Sequence, residues 1–223
     1  MLLGYSDPSR VEGEPLVFGF KHMLKTLWQC MFPLMKVNLV FLIFCLPVVT
    51  IPAAVTALHA ACVDLIRGER VPVLRLFLKT LRTRFFSSWA VLLLLVLPCS
   101  WSIVNAVFYF DKVSELLLWL IPGLCMSTIA VILLLMLPYA MTMVSRVDLR
   151  VLQICKNAFL LVFLNFPFTL CCSLLILLIV VLSVLYWLYA LPLTALITFA
   201  LCAYIGVYFS LYALQKFVLT EKL

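Results

Sequence analysis

From Asn157 to Gln215 the chain runs for 59 residues without a single Asp, Glu, Lys or Arg. As one helix this stretch would be about 90 Å long at about 1.5 Å per residue. The hydrocarbon core of a bilayer is only about 30 Å thick. The stretch is therefore expected to fold back as a hairpin of two membrane-crossing helices. Its turn is expected within Tyr186-Trp187-Leu188-Tyr189-Ala190-Leu191-Pro192, because Tyr and Trp favour the headgroup layer and proline suits the first turn of a helix.

Three more charge-free stretches precede it, at Val37–Leu58, Phe85–Phe110 and Leu116–Ser145, each long enough for one crossing. The chain is 67% hydrophobic and 11% charged, against about 45–50% and about 25% in soluble domains. That surplus has no polar skin to hide behind and must face lipid. The expected fold is an all-α integral membrane protein with about five transmembrane helices plus amphipathic interfacial helices. Residues 1–36 form an N-terminal segment and 37–223 the membrane domain, with spans near 37–58, 86–110, 116–142, 160–185 and 191–213 and a basic loop over 59–85. The first residues lack the pattern of a cleaved secretory signal. The nine cysteines are scattered, with no C-x-x-C pair, which argues against a disulfide framework.

With five spans, basic residues divide eleven to five between the two faces, and the larger set holds Arg67 to Arg84, Arg146, Arg150, Lys156, Lys216 and Lys222. The positive-inside tendency then puts the C-terminus in the cytoplasm and the N-terminus outside. Leu16 to Met31 reads as an amphipathic helix with Lys21, His22 and Lys25 on its polar side, lying on the membrane surface. If that helix stays inside, Val37–Leu58 must re-enter or the number of spans must change.

Two segments stand out as candidate sites. In the first, Pro47 and Pro52 flank Val48-Val49-Thr50-Ile51 and each removes a backbone donor, so the span is expected to kink or break. Thr50 is placed to cover a freed carbonyl, and Asn38 is a strong polar group on the same span. Broken helices of this kind line substrate sites in some transporters, whereas simple packing kinks are more common. In the second, Arg67-Gly68-Glu69-Arg70 reads as a helix-ending turn, and Pro72 opens a new helix on which Arg75, Lys79 and Arg82 share one face. Such a face suits anionic lipid headgroups, at about 1 kcal/mol per basic residue, or a docking partner. A second basic amphipathic stretch, Arg146 to Asn157, also follows a Leu-Pro-containing span.

Much chemistry is missing. No charged residue falls in the middle of any expected span, where ion-coupled transporters place one. There is no phosphate-binding loop, no H-E-x-x-H and no nucleophile elbow. His59 and Cys62 lie one turn apart without a third ligand. No catalytic residue, cofactor or metal site is expected, nor nucleic-acid binding.

The string NLVFLIFCLPVVTIPAAVTALHAACVDLIRGE, Asn38 to Glu69, resembles the hallmark of the YesL-like family, bacterial membrane proteins of unknown function. The aromatic and basic run Leu76-Phe77-Leu78-Lys79 to Arg84-Phe85 fits the same pattern. The resemblance covers most of the chain in layout, although the second half matches only in hydropathy. It implies a place in the cytoplasmic membrane of a bacterium, beside carbohydrate uptake systems. The basic loop also looks superficially like the coupling loop of ABC importer permeases, but the Glu-Ala-Ala pattern of that loop is absent. The expected function is that of a non-enzymatic accessory protein of a sugar ABC permease or its ATPase. Its contacts would run through Arg67, Glu69, Arg70, Arg75, Lys79 and Arg82, and it is a candidate to pair with itself. The alternative is an independent transporter or channel built on Asn38, Pro47, Thr50 and Pro52, with Asn105 or Asn165 opposite.

Overall fold

The computed structural model describes residues 19–69, 72–114, 116–186 and 194–216. They form α1 (Phe20–Gln29), α2 (Met31–Cys45), α3 (Ile51–Ile66), α4 (Val73–Asp111), α5 (Leu120–Arg146), α6 (Val151–Leu164), α7 (Phe166–Leu185) and α8 (Phe199–Leu214). Short 3-10 turns join several of them, and a π-turn over Thr194–Thr198 leads into α8. Five helical segments among these residues are long and apolar enough to cross a membrane. The bent pair α1–α2, with a 71° break between its halves, would be a sixth. An all-α membrane fold is therefore what the chain adopts.

The expected span Val37–Leu58 is not one helix. Helix α2 stops at Cys45, the chain passes through extended backbone at Pro47, and the next membrane-length segment is Val48–Ile66. Proline is the cause. Pro47 has no N–H to continue α2, whereas Pro52 sits in the first turn of α3, where its missing donor costs nothing. The break also reverses the chain. The Cys30 thiol, at the start of α2, lies 3.5 Å from the Leu65 carbonyl at the end of α3. So α2 and α3 form an antiparallel hairpin, and the chain enters and leaves it at the same end of the bundle. This differs from the expected opposition across a single span: with Val37–Leu58 folded back on itself, the start of α2 and the Arg67 turn lie at one end of the bundle.

The expected loop 59–85 is likewise redrawn. His59 to Ile66 belongs to α3 and is almost wholly buried. The turn begins at Arg67, where Gly68 takes φ +73°. There the Glu69 N–H bonds the Asp64 carbonyl and the Gly68 N–H bonds the Leu65 carbonyl, a closing pattern that needs left-handed backbone. Helix α4 then starts at Val73 and continues past Phe85 to Asp111 without interruption. At about 1.5 Å per residue it is about 58 Å long, roughly twice the hydrocarbon thickness.

Helix α3 is the centre of the molecule. Its small residues Ala53, Ala54, Ala57, Ala60 and Ala61 are buried, which lets α2, α4, α5 and α8 approach closely. At the other extreme, α7 fully buries only Thr169 and Cys172, and most of its remaining residues are exposed or half-buried. The expected span 160–185 is split between α6 and α7 at Asn165, because Pro167 in the first turn of α7 cannot continue α6. The expected turn at residues 187–192 lies outside the described residues.

Candidate functional site

The basic face is built on the first three turns of α4. Pro72 precedes the helix, and Phe77 and Thr80 anchor it inward, fully and almost fully buried. The Phe77 ring stacks on Phe44 of α2 at 5.5 Å between centroids. Arg75, Lys79 and Arg82 fall on the opposite side and are exposed, as their spacing requires. Arg67 is the half-buried residue that closes α3, and Glu69 is exposed beyond it. Arg70 lies outside the described residues. Because α4 is one continuous helix, these cations are carried on the rigid extension of a membrane span rather than on a loop.

Two ion pairs that the sequence reading did not foresee lock this end of the bundle. The Arg146 guanidinium, at the last turn of α5, pairs with Asp64 of α3 and also donates to the Ala60 carbonyl at 2.6 Å. Asp64 and Arg146 are largely enclosed, at 13% and 27% side-chain exposure. Arg84 of α4 pairs with Asp148 at 2.5 Å and reaches the Val147 carbonyl at 3.4 Å. The available signal was Asp64 itself, a lone acid within the apolar run Ala60-Ala61-Cys62-Val63-Asp64-Leu65-Ile66. Such a group requires a buried cation nearby. Which cation answers it, 82 residues away, is set by packing alone.

The broken segment is satisfied locally. The Thr50 hydroxyl lies within hydrogen-bonding reach of the Phe44 and Pro47 carbonyls, two of those released by the break. The Trp89 indole N–H of α4 donates to the Val49 carbonyl at 2.8 Å. Leu46, Val48 and Val49 face outward, at 80%, 71% and 61% exposure. Pro52 is buried beneath them. Asn105, imagined opposite this break, instead donates to the Trp101 carbonyl of its own helix. Asn165 sits at the other break, α6–α7, buried, with no acceptor for its amide nitrogen among the described residues.

Polar groups inside the bundle hold helices to one another. Asn38 is fully buried and its side-chain oxygen accepts the Ala200 N–H at 2.8 Å, joining α2 to the start of α8. Thr56 meets Ser88 at 2.8 Å, His59 meets Thr142 at 3.1 Å, and Tyr139 meets Thr169 at 2.6 Å. His59 and Cys62 turn to different partners, Thr142 and the Ala200 carbonyl. The amphipathic α1 is docked through Met23, whose carbonyl accepts from Tyr204, while Tyr208 bonds Gly19. Its Phe20, Leu24 and Trp28 remain exposed in one stripe, beside exposed Lys21 and Lys25.

No curated protein and no solved structure matches the chain. Residues 34–111 match a family described as "Protein of unknown function, DUF624", to which YesL-like proteins belong. That stretch runs through most of α2, the proline break, α3, the Gly68 turn and all of α4 to Asp111, so the segment similar to the family is the hairpin together with its basic helix.

Proposed function

We propose that this protein is a non-enzymatic membrane accessory protein that offers its basic face to a cytoplasmic or membrane partner, in the setting of a carbohydrate ABC-type uptake system. The observation that carries this reading is the rigid presentation of Arg75, Lys79 and Arg82, exposed along one side of α4 while Phe77 and Thr80 fix the other. A cation cluster held on a rigid element loses little backbone entropy on docking and steers an acidic partner from a distance. The interior supports the same reading. Several of its buried hydroxyls and amides, those of Asn38, Thr56, Ser88, Thr142 and Thr169, bond across helices, which suits a scaffold better than a path for a hydrated solute.

In this reading the basic end faces the cytoplasm of a bacterium, with α1 on that same side. The hairpin of α2 and α3 makes the charge asymmetry larger than five spans allow, because Lys21 and Lys25 join the basic set. The test is copurification from gently solubilised membranes, read by mass spectrometry. A sugar ABC permease or its ATPase is expected in stoichiometric amount, and Arg75→Glu with Lys79→Glu should release it while the protein remains in the membrane. Recovery of the protein alone from wild-type membranes would refute the accessory role and redirect attention to flux assays.

A further inference from the structure

A cavity of about 590 Å³ lies between α3, α5, α7 and α8, with Phe41 of α2 and Leu92 of α4 at its edges. Its walls come from the interior of four membrane-length segments, so it sits at hydrocarbon depth. They are apolar almost throughout. The hydroxyls among them are engaged already: Tyr139 with Thr169, and Ser173 with the Leu170 carbonyl of its own helix. His59 commits one ring nitrogen to Thr142.

The rim is continuous with the lipid-facing surface. Val131 and Leu134 of α5 and Leu174 and Leu177 of α7 line the cavity, yet each is more than half exposed. The inner wall, by contrast, holds buried Leu135, Cys172 and Ala203.

We infer that this cavity is a lateral binding site for one acyl chain of a bilayer lipid, which enters between α5 and α7. An empty cavity of this size forfeits dispersion contacts along its whole lining. Water needs two to four polar partners to stay at such a place, and the wall hydroxyls are already hydrogen-bonded within the protein. A sugar or an ion needs still more. Hydrocarbon is the one medium adjoining the rim that matches the walls, and about 590 Å³ is the size of a pocket that encloses a drug-sized apolar ligand, roughly 300–1,000 Å³. The headgroup stays outside, since nothing on the inner wall calls for it. This site is independent of the basic face and of the proposed partner.

The experiment uses the full chain in vesicles of phosphatidylethanolamine and phosphatidylglycerol. A fraction of the phosphatidylglycerol carries a photoactivatable diazirine midway along one acyl chain, and adducts are mapped by mass spectrometry. Adducts are expected on the inner-wall residues Leu135, Cys172 and Ala203, as well as on outward Leu178 of α7, which does not line the cavity. Ala203→Phe and, separately, Cys172→Phe fill the space and should remove the inner adducts while Leu178 stays labelled. Labelling of Leu178 with none on the inner wall of the wild-type protein overturns the inference without recourse to any variant. So does inner labelling that persists in both filled variants.

Discussion

The Asp64–Arg146 pair offers the sharpest test of how the basic end is held. Exposed ion pairs contribute about 0–1 kcal/mol, whereas removing one partner of a buried pair costs about 3–5 kcal/mol. At 13% and 27% exposure this pair lies between those limits. Arg146→Ala strands the more buried carboxylate and also removes the bond to the Ala60 carbonyl, so its expected cost is about 3 kcal/mol. Asp64→Ala leaves Arg146 its carbonyl partner, and about 2 kcal/mol is expected.

The assay is thermal unfolding in detergent, followed with a thiol-reactive dye. Cys62, fully buried two residues before Asp64, and buried Cys99 and Cys172 become reactive as the bundle opens, above a baseline from the exposed Cys125 and Cys171 and the half-buried Cys30, Cys45, Cys155 and Cys202. For a chain of this length 1 kcal/mol shifts the midpoint by roughly 2–4 °C, so Arg146→Ala should lower it by about 6–12 °C. The double change Asp64→Leu with Arg146→Met removes both charges together and should recover most of that loss, because an apolar pair avoids the desolvation cost. If the double variant instead loses the sum of the two single losses, the residues do not act as a pair and the reasoning fails.

Two further outcomes are expected of the same thermal assay. Asn38→Leu deletes the acceptor of the Ala200 N–H and should cost about 1 kcal/mol, the scale of interhelical hydrogen bonds in membranes; an unchanged midpoint would mean that α8 does not depend on this bond. Gly206→Ala places a methyl carbon 3.0 Å from Cβ of Pro138, and neither atom can swing aside, so a loss of about 1–3 kcal/mol is expected; a neutral result would show that the seam between α5 and α8 opens freely.

The amino-acid sequence determined the class of fold. Charge-free stretches of membrane length leave no soluble alternative, and the prolines marked where helices stop. Pro47 and Pro52 announced a break, Gly68 a turn and Thr50 a hydroxyl near freed carbonyls, because each of these effects is local and is decided within one or two turns of backbone. The exposed cationic face of α4 was legible for the same reason, since Arg75, Lys79 and Arg82 share a side of any helix that contains them. What only the tertiary structure decided is how the pieces return on one another. That the proline break reverses the chain, bringing Cys30 to Leu65 and the N-terminal helix to the basic end, depends on the fit of α2 against the small-residue surface of α3 and against α8. The partnership of Asp64 with Arg146, and the cavity between α3, α5, α7 and α8, likewise arise from residues on separate helices, far apart in the chain. Hydropathy says that a residue faces away from water. In a membrane both lipid and neighbouring helices satisfy that demand equally well, so only packing decides between them.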